Sequence, residues 1–138
     1  MSLPMYLDDS AFETAFRSCT LAPQLFDHEA HLRLAWIHLS RYGQETAIDN
    51  ICRQLYRYTD SLGAADKFNK TVTVAAIKAV HHFMGKSVSD NFPDFVREFP
   101  RLKTNFKDLL ACHYGEVDIF RSEEAKREYI EPQLLPFD

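Results

Sequence analysis

Apolar side chains recur along this chain at intervals of three and four, the spacing of one helical face, and glycine, proline and capping residues cut the pattern into segments. Ser10 followed by Glu13 fits a capping box, and Phe12, Phe16 and Cys19 then predict a short first helix. Residues 21–26 contain Pro23 and read as a connector. Asp27 is placed to cap a second helix, which Gly43 closes. A third helix over 45–62 puts Ile48, Ile51, Cys52, Leu55, Thr59 and Leu62 on one face and ends at Gly63. A fourth, over 69–84, turns Val72, Thr73, Ala76, Ile77, Val80, Phe83 and Met84 inward and ends at Gly85. Its β-branched opening, Thr71-Val-Thr-Val74, has strand character, but length and the later spacing favour helix. A short helix over 92–99 carries Pro93 in its first turn and stops at Pro100. Another over 102–113 groups Leu102, Phe106, Leu109, Leu110 and His113, and a last one covers 122–129. Residues 131–137 predict an extended tail whose Leu134, Leu135 and Phe137 pack back on the body. Together the segments predict one all-α domain over 1–138: a bundle of four principal helices with shorter peripheral helices and an extended C-terminal tail.

The second helix carries the most informative exception to this pattern. Advancing about 100° per residue from His28, the arc within about 80° on either side collects His31, Leu32, Ala35, Trp36, Leu39 and Tyr42. Two histidines therefore join an otherwise apolar stripe, where an unpaired polar ring is costly. Side chains three apart lie on neighbouring turns and converge on one ligand. Imidazole binds transition metals and moves protons near neutral pH. The bland alternative is that both rings donate to backbone carbonyls near a helix start. The spacing is one residue short of the HExxH pattern, and Glu29 projects away from the shared face. A three-ligand metal site would recruit His113, the other inward histidine, but a divalent metal is not the favoured reading. His81 and His82 fall on the outer side of the fourth helix, and His38 at the edge of its stripe reads as a boundary residue. On the fourth helix Asn69 and Thr73, one turn apart, point inward. Asn69 fits an N-cap and Thr73 a bond to its own helix carbonyl. With His28 and His31 they outline a polar pocket within an apolar bundle, to which Trp36 and Tyr42 would add aromatic walls.

Composition narrows the function classes. With 138 residues, 46% hydrophobic and 26% charged, the chain reads as an ordinary folded protein rather than a disordered one. A net charge of -4, with lysines and arginines scattered among acids, argues against a nucleic-acid partner. Cys19, Cys52 and Cys112 are widely spaced and contain no CxxC, so neither a disulfide framework nor a cysteine-based zinc site is expected. Each is expected to act as a small core residue in a reducing compartment. No signal-peptide pattern and no membrane-spanning apolar run is present, which predicts a cytoplasmic location and no membrane partner. P-loop, GxGxxG, GxSxG and helical ExxH patterns are absent.

The runs Phe16-Arg-Ser-Cys-Thr-Leu21 and Phe26-Asp-His-Glu-Ala-His-Leu32, with Trp36 after them, resemble an uncharacterised family of small bacterial helical proteins. Its pattern reads F-x-x-C-T-L, then W-T-H-x-x-H-L. Phe68-Asn-Lys-Thr-Val-Thr73 is similar to the family's Y-H-E-T-x-T, and residues 122–136 to its S-x-x-A-R and E-P-D-L-x-P-L-P ending. The resemblance implies no established reaction, substrate or cofactor. Where the pattern has a third histidine this chain has Asn69, and Lys70 replaces the following acid. Asparagine hydrogen-bonds small molecules but is a poor transition-metal ligand, so the resemblance favours a shared pocket over metal catalysis.

The expected function is binding of a small polar ligand between the second and fourth helices by His28, His31, Asn69, Thr73 and Trp36. If catalysis accompanies binding, one imidazole is the acid–base group. The alternative is a non-catalytic interaction module or homodimer, suggested by the aromatic surplus that includes Tyr6, Tyr56, Tyr58 and Phe137.

Overall fold

Helix α2 (His28–Tyr42) is the axis around which the other elements assemble. It packs against α1 (Asp9–Arg17), α3 (Gln44–Ser61), α4 (Lys70–Met84) and the short α6 (Arg101–Thr104). The computed structural model describes residues 7–115 and 117–137, and every regular element among them is helical. The remaining helices are α5 (Phe92–Glu98), α7 (Phe106–Tyr114) and α8 (Glu123–Arg127). Met1 to Tyr6, and with them the Tyr6 named in the interaction reading, lie outside the described residues.

Because α2 is surrounded, its buried surface wraps well beyond the arc that periodicity assigns. Leu34, Ile37 and His38 are buried along with Leu32, Ala35 and Leu39. His38, expected at a boundary, is 0% exposed. Its caps are those the sequence predicts: Asp27 accepts from the Ala30 N–H, and Gly43 ends the helix at φ 85°. That left-handed φ suits glycine, and the same residue opens α3 directly.

The last helix, expected over 122–129, covers only Glu123–Arg127, and two other boundaries differ more informatively. The cap of α1 is Asp8, whose carboxylate accepts from the Ala11 N–H, and not Ser10. Glu13 is instead buried at 4% exposure, bound by the Arg41 guanidinium and by the Tyr42 hydroxyl at 2.6 Å. Cys19 lies beyond the helix at φ 63°, in the turn that closes it. The second difference is at Asn105, where the continuous helix expected over 102–113 is broken into α6 and α7 at φ −129° and ψ 39°. The apolar spacing continues across the break, so periodicity does not register it. Asparagine competes with the helical ladder for backbone bonds, which makes it a natural place to interrupt.

One apolar cluster runs from Phe12 on α1 through α2, α3 and α4 to Phe137. Of the tail's three apolar side chains, only Phe137 is buried. Its ring stacks on His113 at 4.1 Å, while Leu134 and Leu135 stay 67% and 51% exposed. Leu134 nevertheless lies against Gly115, where a Cβ would come within 2.8 Å of Leu134 Cδ1. The three cysteines are free, and Cys112 is exposed instead of buried in the core. Among the described residues no helix is long and apolar enough to cross a membrane.

Candidate functional site

The first turns of α2 and α4 line a cavity of about 350 Å³ between α2, α3 and α4, with Phe106 of α7 on its wall. His28, His31, Asn69 and Thr73 all line it. Its remaining surface is largely apolar, formed by residues such as Leu34, Leu55, Tyr58, Val72 and Ile77.

Each polar residue meets the cavity differently. The His28 Nε2–H donates to the Leu102 carbonyl at 2.8 Å, and the ring packs 4.7 Å from Phe106. The break at Asn105 makes this bond available. In an unbroken helix the Leu102 carbonyl would accept from the Phe106 N–H, and here it accepts from His28 instead. The bond fixes the tautomer of a neutral ring and leaves Nδ1 as an acceptor.

His31 has a different environment. Its ring packs 4.1 Å from Phe26 and makes no hydrogen bond among the described residues. By surface area His31 is exposed, yet burial is the main cause of a pKa lowered to about 4. The ring lines the cavity, so its accessible surface includes cavity wall while protein atoms crowd its other sides. Proximity to His28 lowers the value further, while Asp27 opposes. At neutral pH the ring is uncharged, with one donor and one acceptor nitrogen.

Asn69 and Thr73 are chiefly structural. Asn69 Oδ1 accepts from the Val72 N–H at 3.0 Å as the cap of α4, and its Nδ2 donates to the Ile119 carbonyl at 2.7 Å. The Thr73 hydroxyl donates to the Asn69 carbonyl at 2.7 Å, which leaves its oxygen free to accept. Trp36 does not line the cavity; it packs on Phe92, 6.4 Å between ring centroids. Tyr42 is bound to Glu13. His113 is also elsewhere, donating through Nδ1 to the Leu135 carbonyl at 2.7 Å. Its helix face is turned to the tail, so it does not join His28 and His31. Among the described residues no group of three or more histidine, cysteine or acidic side chains is arranged to hold a metal.

Two features escape sequence reasoning. Lys67, from the turn between α3 and α4, lines the cavity and is exposed. A second polar cluster joins α1 to α2, where the buried His38 Nε2 lies 3.8 Å from Glu13 Oε2. Neither His38 nitrogen has a hydrogen bond among the described residues, and burial lowers its pKa despite the attraction of Glu13. A larger groove of about 1050 Å³ runs past α1, α2, α5 and α6. Two of its charged pairs, Arg33 with Asp9 and Lys103 with Glu29, are already matched to each other.

No protein-family model, curated protein or solved structure matches this chain.

Proposed function

We propose that this protein binds a small molecule with an apolar body and a hydrogen-bonding head in the cavity between α2, α3 and α4. His31 carries the reading: an imidazole on the wall of an apolar cavity, kept neutral at pH 7 by a pKa lowered to about 4, with its hydrogen-bonding capacity unused by the described residues. A ligand head that both donates and accepts would restore those bonds. Thr73 adds an acceptor, and His28 Nδ1 a second. The volume is at the lower end for organic ligands, and the mixture of apolar walls with a few polar groups is typical of such sites. Binding is favoured over acid–base catalysis because an imidazole with a pKa of about 4 is a weak base at neutral pH.

Hexan-1-ol is a suitable neutral probe. Titrated into isotopically labelled protein, it should shift amide resonances of Leu55, Thr73 and Ala76, which surround the cavity. His31→Phe should abolish those shifts while the protein remains folded, because it fills space and removes an imidazole that lacks a protein partner. Shifts scattered over the surface, or unaltered binding by the variant, would refute the assignment. The interaction-module reading makes a separate forecast: replacing both His28 and His31 with leucine leaves self-association, measured by sedimentation, unchanged.

A further inference from the structure

Charge at the cavity has one sign. Among the described residues, Lys67 is the only formally charged one on its wall and no carboxylate lines it, although the chain as a whole carries -4. Lys67 closes the 3-10 turn Ala65–Lys67, is exposed, and its ammonium makes no ion pair among the described residues. With Pro23 and Leu62, which are also exposed, it marks the opening. Close to Lys67 and Pro23 along the chain, the starts of two fifteen-residue helices supply lining residues: His28 and His31 from α2, Val72 and Thr73 from α4. Helix N-termini carry partial positive charge, which the C-terminal turn of α3, also on the wall through Thr59 and Leu62, opposes, so the full positive charge is that of Lys67. The acid adjoining His28, Asp27, lies outside the lining and is engaged with the Ala30 N–H at 2.8 Å.

We infer that the ligand is a small apolar monocarboxylate, its anionic head held by the Lys67 ammonium and a hydrogen bond donated by the His31 ring, its hydrocarbon among the α3 and α4 side chains. This deepens the function proposed above and rests on it. A cationic ligand would meet Lys67 and find no acid on the wall. A multiply charged ligand such as a nucleotide would find one cation and a cavity of only about 350 Å³. A neutral His31 ring donates to a carboxylate without first taking up a proton, which suits binding at neutral pH.

Three probes of equal chain length separate this inference from the reading beneath it: hexanoate, hexan-1-ol and hexylammonium, each titrated into the labelled protein at pH 7. Hexanoate should bind about five- to ten-fold more tightly than hexan-1-ol, a modest factor because Lys67 is solvent-exposed, and hexylammonium should bind least. Lys67→Gln should remove the preference for hexanoate and leave hexan-1-ol binding unchanged, and Lys67→Glu should transfer the preference to hexylammonium. Equal binding of hexanoate and hexan-1-ol would overturn the anion assignment and leave the cavity reading intact. A preference for hexanoate that survives Lys67→Gln would overturn the role of Lys67. Failure of all three probes to bind would overturn both proposals together.

Discussion

His31 and His38 are both held neutral by the fold, in different surroundings. His31 faces a cavity beside His28, whereas His38 is fully enclosed against Glu13 and Tyr42. In each case burial is the foremost cause of a lowered pKa. The sign for stability follows directly. An unfolded histidine titrates near 6.5. Above that pH both states carry neutral rings and neither histidine contributes a pH dependence. As pH falls below 6.5 the unfolded chain takes up protons that the folded rings refuse, so stability declines, levelling for His31 below about 4. Urea denaturation should therefore give lower stability at pH 5 than at pH 7, with a smaller difference in His31→Phe; an unchanged difference would show that His31 titrates normally. At this scale the paired histidines were legible because two polar rings interrupt an apolar stripe. His38 reads as a boundary residue because the arc treats α2 as buried on one side, and only the tertiary arrangement shows that it is surrounded. Lys67 gave no signal, since a lysine in a short turn looks the same whether it faces bulk water or a cavity mouth.

Helices whose ends are set by side-chain caps were the most readable elements. Asp27 and Gly43 bound α2 because a carboxylate can take the first free N–H and glycine adopts the closing left-handed turn without steric cost. The start of α1 is ambiguous in the sequence because Asp8 and Ser10 are both good caps, and Glu13 is drawn to Arg41 and Tyr42 instead of closing a capping box. The break at Asn105 was invisible because Leu102, Phe106 and Leu109 keep helical spacing on either side of it. For α4, the cap residue also ties the helix to the segment after α7 through the Ile119 carbonyl. Asn69→Ala removes both bonds and should lower stability by about 2 kcal/mol: about 1 for the cap and a similar amount for the carbonyl left without its donor. Asn69→Asp keeps the capping oxygen but sets a carboxylate against the Ile119 carbonyl, so it should not restore wild-type stability. Chemical denaturation of both variants measures this, and a loss below about 0.5 kcal/mol for Asn69→Ala would mean the cap is replaceable.

The whole molecule consists of a helical body and a C-terminal segment fastened to it by a small number of polar bonds. Thr71, fully buried in the first turn of α4, donates to the Glu128 carbonyl at 2.7 Å and accepts from the Ile130 N–H at 3.0 Å. The Tyr114 hydroxyl donates to the Ile130 carbonyl at 2.8 Å, and His113 and Phe137 hold the end. Ala125 of α8, fully buried, supplies apolar contact, but α8 is only five residues long and cannot hold itself together. Thr71→Val preserves shape while leaving a backbone donor and a backbone acceptor unpaired, at a cost of about 2 kcal/mol. That loss falls on the interface between α4 and the segment, so it should appear as local opening before global unfolding. Hydrogen exchange should speed up across residues 123–137 in Thr71→Val and stay unchanged in the interior of α2 and α3. Thr71→Ser, which retains the hydroxyl, should exchange like the wild type. Uniform acceleration over the whole chain in Thr71→Val would show that body and segment unfold as one unit, so that Thr71 contributes to global stability instead of fastening a separable segment.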